Sequence, residues 1–354
     1  MKILQVCPKY YPSIGGVEEH VGNLSERLAR KHEITVFTCD PSGKLPKEEK
    51  INRVSVRRFK SFSPNAAYYI SFDMLRELTN SSFDIIHGHS YHAFPLHFCR
   101  YAERKQLVVT PHYHGYGHTP FRDFLIKRFK PFGRKVLVQA DKIIAVSHYE
   151  KKLLLNDFTI NENKISVIPN GYDLSEFHNL ETLSRENKTI LYVGRLEKYK
   201  GVQYTIQSLP LLDKSLRLEI VGKGPYKASL MTQIDRLGLN DRVTWYQDLP
   251  RQELLKLYAR ASVFVLLSQY EAFGQTVGEA LALKTPCIVA NTSALTGWID
   301  NKNCFGIDYP LRVDKVARLI TRVSGKNVGD VKLWDWDEVA QLVESEYTQA
   351  RPTR

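Results

Sequence analysis

Short runs that are apolar at nearly every position recur along the chain, alternating with longer stretches of helical periodicity. Strands that are apolar on both faces are what a parallel sheet covered by helices requires. The runs predict strands over 2–6, 34–38, 84–87, 107–110, 142–146 and 165–168. A second series covers 189–193, 217–221, 242–246, 263–267 and 286–290. Strand and helix alternate within each series, which predicts the α/β class with two Rossmann-like domains. Between the series, residues 172–188 are rich in Glu, Asp, Asn, Ser and Thr and have no apolar period. The boundary is placed there, giving domains 1–172 and 173–333. Val17, Val21, Leu24 and Leu28 give one early helix an apolar face. Trp336, Val339, Ala340, Val343 and Tyr347 give the last helix, within 334–354, a stripe that must be buried somewhere.

A chain of 354 residues is too long for one ordinary core, which fits two domains. Its 43% hydrophobic and 25% charged residues are those of a globular protein. No apolar run approaches the roughly 18 residues of a membrane span. The amino terminus reads as a first strand and not as a signal peptide. Cys7, Cys39, Cys99, Cys287 and Cys304 are scattered without zinc spacing, so reduced core cysteines and a cytoplasmic location are expected. A formal charge of +12 favours polyanionic partners. No nucleic-acid-reading pattern accompanies it, and nucleic acid is not an expected partner.

Three motifs carry candidate chemistry, all next to predicted strand ends, where open α/β sheets bind ligands. Glu271 and Glu279, with seven residues between them, follow the run Val263, Phe264, Val265, Leu266, Leu267. One falls on a loop and the other two turns into a helix entered near Gly274. Two acceptor-only groups suit vicinal hydroxyls of a sugar or ribose; a pair of solvated glutamates is the plainer alternative. After the first strand, Gly15 and Gly16 lead into a helix whose amino terminus offers N–H groups to an anion. A simple turn and cap is the alternative there. After 189–193 comes Gly194, Arg195, then Lys200 and Gly201. A guanidinium forks onto two phosphate oxygens and an ammonium adds a point charge, although basic loop residues are often merely solvated.

Together these motifs resemble the retaining glycosyltransferases of family 4, with the GT-B fold, over nearly the whole chain. The resemblance rests on Gly15-Gly16-Val17-Glu18, Val167-Ile168-Pro169-Asn170-Gly171-Tyr172-Asp173, Gly194-Arg195 with Lys200-Gly201, Gly222-Lys223-Gly224-Pro225 and the Glu271 to Glu279 stretch. It implies two Rossmann-like domains facing across a cleft, with the terminal helix packing back on the first. Arg195 and Lys200 would hold the diphosphate of a nucleotide-sugar donor. Glu279 would bind the ribose, Glu271 would face the sugar, and Gly15, Gly16, Gly194, Phe273 and Gly274 would complete the donor site. His112 would stand beside the reacting sugar, with His114 as an alternative. The implied reaction moves a hexose with retention to a glycoside or lipid-linked acceptor. Breaking the glycosyl–phosphate bond builds negative charge on the diphosphate, and fixed cations there lower the barrier. No metal and no cofactor are therefore expected.

Some positions depart from the family pattern. Asn291-Thr292-Ser293-Ala294-Leu295-Thr296-Gly297 replaces a Gly-Gly turn and a glutamate, Lys284 stands where a small residue is usual, and Tyr246-Gln247-Asp248 replaces a glycine. These departures keep open a second reading, a GT-B relative that binds nucleotide sugar or polysaccharide without catalysis. Over 121–135, Phe121, Phe124, Leu125, Phe129 and Phe132 share one face of a predicted helix. Arg122, Lys127, Lys130, Arg134 and Lys135 surround them, and Pro131 and Gly133 are expected to end or kink the helix. Such a helix suits either an anionic membrane surface, with peripheral attachment at the inner face, or the domain core. Arg53, Arg57, Arg58 and Lys60 are expected to extend the positive surface. The histidines of 113–118, with His87 and His89, suggest a polar substrate cleft and not a metal site.

Overall fold

The computed structural model describes residues 1–64, 68–117, 120–178, 180 and 188–348, with the side chains of 120–122 outside that description. It forms two compact units, Met1–Gly171 with Trp334–Arg354, and Tyr172–Leu333. Tyr172, placed in the first domain from sequence, belongs to the second, where its hydroxyl donates to the Gln275 carbonyl at 3.2 Å.

The first unit is built on β1 (Lys2–Val6), β2 (Glu33–Asp40), β3 (Glu48–Ile51), β4 (Val54–Lys60), β5 (Ser82–His89), β6 (Glu103–Thr110), β7 (Lys142–Ala145) and β8 (Ile165–Val167). They form one sheet in the order β3-β4-β2-β1-β5-β6-β7-β8, parallel except for the β3–β4 pair at the edge. Strand order reverses between β1 and β5, so the crevice at their carboxyl ends is the natural ligand position. Helices α1 (Gly16–Leu28), α2 (Phe72–Asn80), α3 (Phe94–Phe98), α4 (Pro120–Gln139) and α5 (His148–Asp157) cover the sheet.

The second unit holds β9 (Thr189–Val193), β10 (Arg217–Val221), β11 (Val243–Tyr246), β12 (Val263–Leu266), β13 (Cys287–Ala290) and β14 (Cys304–Ile307). Its sheet runs β11-β10-β9-β12-β13-β14 and is parallel throughout, with the reversal between β9 and β12. Helices α6 (Val202–Ser208), α7 (Lys227–Leu237), α8 (Arg251–Arg260), α9 (Gln275–Ala282) and α10 (Val313–Val323) enclose it. The last helix, α11 (Trp336–Thr348), returns to the first unit. Its stripe of Trp336, Val339, Ala340, Val343 and Tyr347 shares a core with Val21, Leu24 and Leu28 of α1. All five cysteines are buried thiols.

Three strands, β3, β4 and β14, were not expected. Strand β4 carries Arg57, Arg58 and Lys60, with Arg53 just before it. Arg53 and Lys60 are exposed, but for Arg57 and Arg58 the reading as positive surface is corrected. Arg58 is buried, pairs with Glu49 and donates to the Tyr11 and Pro46 carbonyls. Arg57 bridges Glu48 and Glu77 and covers the Phe37 ring. The helix does not end at Pro131 or Gly133, because α4 runs through both. A Cβ on Gly133 would come within 2.0 Å of the Tyr91 hydroxyl, so glycine lets the helix seat against that ring. Phe129 and Phe132 are half-buried, their rings edge-on or tilted against Phe94 and His97, and Phe129 packs on the core. Phe124 is half exposed beneath Arg128. Phe121 and Arg122 lie outside the described side chains. Among the described residues, no helix is long and apolar enough to cross a membrane.

Candidate active site

In the second unit, the loops leaving β9 and β12 lie side by side at the reversal of strand order. The Gln269 amide donates to the Tyr199 carbonyl at 2.8 Å. Gly201 takes φ 78°, and a Cβ there would come within 2.2 Å of the Leu267 carbonyl oxygen. Only glycine permits both the left-handed backbone and that approach. The result brings Lys200 Nζ to 2.6 Å from Glu271 Oε1, with both side chains largely buried. Burial opposes the lysine charge, but the Glu271 carboxylate outweighs it, and the ammonium is held above the ordinary lysine range. Arg195 stands in the same electrostatic neighbourhood, two-thirds exposed, with Nη2 2.6 Å from Glu197 Oε1. Its backbone is held by the Tyr192 hydroxyl, which donates to the Arg195 carbonyl at 2.9 Å. An exposed guanidinium beside a buried ammonium is well placed to meet a polyanion.

Glu271 is fixed from behind as well. Its amide donates to Ser293 Oγ at 3.1 Å, and the Ala294 amide donates to its carbonyl at 3.2 Å. The stretch that departs from the family pattern thus supports Glu271 directly, with Ser293 at φ 52°. Trp298 Nε1 donates to the Phe273 carbonyl at 2.8 Å, and the two rings meet edge to face. Gly274 caps α9 at φ 94°, and a Cβ there would press on Leu295 and Trp298. Glu279, almost fully buried on α9, accepts from Arg251 Nη1 at 2.6 Å. Arg251 in turn holds Glu176 through Nε at 2.9 Å. Each glutamate therefore keeps a cation on one oxygen. Arg251 was not singled out from sequence, and Ser293 only as part of the departing stretch, because their partners are distant along the chain. Lys284, at φ 61°, pairs with Asp330 at 2.7 Å, away from this site's residues.

In the first unit, Gly15 is extended and Gly16 opens α1 without positive φ. A Cβ on Gly16 would meet nothing within 4 Å, and the space beside it is open to a ligand. His112 follows β6 at φ 48°, next to the buried Thr110. Its ring lies 5.0 Å from that of His20 and 6.0 Å from that of His89. Burial holds it well below the ordinary imidazole range, so it is neutral at pH 7. His114 instead stacks on His92 at 4.3 Å. Glu150, buried on α5, accepts from the Tyr113 amide and from the Val146 amide at 2.7 Å, which anchors the residue next to His112. The chain has one Asp-x-Asp triplet, Asp335-Trp336-Asp337, but it caps α11. Asp335 Oδ1 accepts from the Asp337 amide at 2.7 Å, and Asp337 pairs with Arg27 and Arg30.

Residues 14–176 match the model of Glycosyltransferase Family 4, and residues 175–327 match that of Glycosyl transferases group 1. An uncharacterized glycosyltransferase of Methanocaldococcus jannaschii is 30% identical over 91% of this chain and 89% of its own. The GDP-mannose:cellobiosyl-diphosphopolyprenol alpha-mannosyltransferase of Xanthomonas oryzae pv. oryzae is 27% identical over 80% of this chain and 76% of its own. Among solved structures, Anabaena HepE in complex with UDP and glucose superposes with a TM-score of 0.77 at 17% identity, covering 99% of this chain and 100% of that one. The chain belongs to the GT-B glycosyltransferases of family 4.

Proposed function

We propose that this glycosyltransferase moves a hexose, with retention, from a nucleoside-diphosphate sugar to a glycoside or lipid-linked acceptor. The observation that carries the reading is the buried Lys200–Glu271 pair beside the exposed Arg195, at the reversal of strand order in the second unit. As the glycosyl–phosphate bond breaks, Lys200 and Arg195 take the charge growing on the diphosphate, while Glu271 faces the sugar and Glu279 the ribose. Preorganised donors of this kind are each worth about 3 kcal/mol of barrier. No metal is required for the transfer in this scheme. His112, neutral, can hydrogen-bond a sugar hydroxyl but cannot serve as a cation for phosphate.

The relative that acts on a diphosphopolyprenol and the half-exposed Phe124 with Lys127 and Arg128 on α4 support a lipid-linked acceptor. They also support peripheral attachment at the cytoplasmic face of a membrane. The test is thermal unfolding with UDP, GDP and ADP at millimolar concentration, followed by donor-hydrolysis assays across a panel of nucleotide sugars. One nucleotide is expected to raise the Tm selectively, and Arg195→Ala and Lys200→Ala are expected to abolish the shift. Absence of any nucleotide effect would refute the donor site.

A further inference from the structure

Three imidazoles of the first unit converge. His20 lies on α1, His89 ends β5 and His112 follows β6, and each offers a ring nitrogen within 4.8 Å of the other two. For His20 and His89, hydrogen bonds fix which nitrogen bears the lone pair. Asn170 Oδ1 stands 3.0 Å from His20 Nδ1. An amide oxygen only accepts, so Nδ1 carries the proton and Nε2 the lone pair. Gln5 Oε1 stands 2.7 Å from His89 Nε2, while the other end of that amide donates to the Tyr347 hydroxyl at 3.2 Å. The Gln5 amide is thereby oriented, and His89 Nδ1 is left with its lone pair.

His20 Nε2, His89 Nδ1 and His112 Nε2 are all buried without a hydrogen-bond partner. For His20 and His89 these are lone pairs, and buried acceptors left without a donor are costly. Among the described residues no hydrogen bond fixes the tautomer of His112, which presents a third lone pair at Nε2 when its proton is on Nδ1. Protonation does not relieve the cluster at neutral pH. Burial pushes His20 down to about 4 and holds His89 and His112 well below the ordinary range. Neutral imidazoles are, however, the ligands that zinc-class ions take.

We propose that His20 Nε2, His89 Nδ1 and His112 Nε2 bind one divalent transition-metal ion of the zinc class. Three imidazoles with a fourth position left open suit Zn²⁺ and its surrogate Co²⁺, whereas hard cations prefer oxygen ligands. Asn170 and Gln5 supply the outer hydrogen bonds that orient metal-bound histidines. Binding occupies Nε2 of His112, so the ion inhibits sugar transfer and takes no part in it. That consequence rests on placing His112 beside the reacting sugar; the binding itself does not.

The experiment titrates the full, chelator-stripped chain with Co²⁺ and follows visible absorption. One equivalent is expected to give the d–d bands of low-coordinate, imidazole-bound cobalt, displaced by Zn²⁺. His20→Gln and His89→Gln should abolish the bands, and Asn170→Ala should weaken affinity about 10- to 100-fold. His148→Gln, exposed on α5, should change nothing. Should the histidine variants fail to fold, X-ray absorption at the zinc edge of the wild-type protein counts the ligands, with three imidazoles expected. A spectrum that stays that of aqueous cobalt, an equal loss in His148→Gln, or fewer than three imidazoles would overturn the proposal. Zinc is also expected to inhibit wild-type transfer reversibly by chelator. If the bands form but transfer is unaffected, the metal site stands and the placement of His112 falls.

Discussion

Glu150 illustrates how a single buried group can set a pH dependence. Its carboxylate accepts two backbone N–H bonds, which favour the charged form, yet burial outweighs them and raises its pKa from 4.5 to about 7. A carboxyl bound more tightly to its proton in the folded state stabilises the fold below the unfolded pKa, and that contribution is lost as pH rises through about 7. The shift corresponds to about 3 kcal/mol between these limits. Glu150→Gln is therefore expected to gain stability relative to wild type by that amount from pH 4.5 to pH 8, measured by denaturant unfolding at each pH. A flat difference would mean that Glu150 does not titrate in this window. Arg251 makes a different prediction. It pairs with Glu279, and under the proposed donor site a ribose on that carboxylate is held equally in the ground and transition states. Arg251→Gln is expected to raise the donor KM about tenfold while leaving kcat within about twofold. Arg251→Lys should restore part of the loss, which a merely structural role would not require.

At the scale of elements, α4 separates two roles that its sequence superimposes. The faces of Phe124 and Phe129 look alike on a helical wheel, but Phe129 is ringed by Tyr91, Phe94, His97 and Phe132. Phe129→Asp would bury an unpaired charge and is expected to cost more than about 3 kcal/mol. Phe124→Asp should leave unfolding within about 0.5 kcal/mol of wild type. If α4 meets a membrane, Phe124→Asp should also reduce co-sedimentation with anionic vesicles at low salt; undiminished retention would remove α4 from that role. The same distinction explains what was legible. Strand β9 matches its expected limits because every inner position is apolar and the flanks are not, and β10 does so although its central Glu219 is buried, paired with Arg260. Strand β4 was hidden because its arginines are neutralised by carboxylates on other elements, β3 and α2, and β14 because four residues with a glycine carry too little pattern. Arg195, Lys200, Glu271 and Glu279 could be named as candidates because each motif is local to one strand end, and the structure pairs Lys200 with Glu271. Their partners Arg251 and Ser293 are brought in by tertiary packing alone.

At the scale of the whole molecule, the chain leaves the first unit after Gly171 and re-enters it at Trp334, and the two crossings meet. A Cβ on Gly171 would lie 2.8 Å from the Trp336 Cα, so the backbone there closes directly on the start of α11. The helix then contributes Trp336 beside His20 and the Tyr347 hydroxyl to His87 and Gln5. It completes the core of the first unit and also braces its histidines. Trp336, 4% exposed, is expected to cost about 3–5 kcal/mol when replaced by alanine. The loss should fall on one unit only, since the second unit's core contains no residue of α11. A chain of two such units need not unfold in one step. Calorimetry is expected to resolve two transitions, the lower one moved down by Trp336→Ala and the other moved up by saturating nucleotide. If the variant instead lowers both together, the two cores unfold as one, and the returning helix stabilises the molecule as a whole.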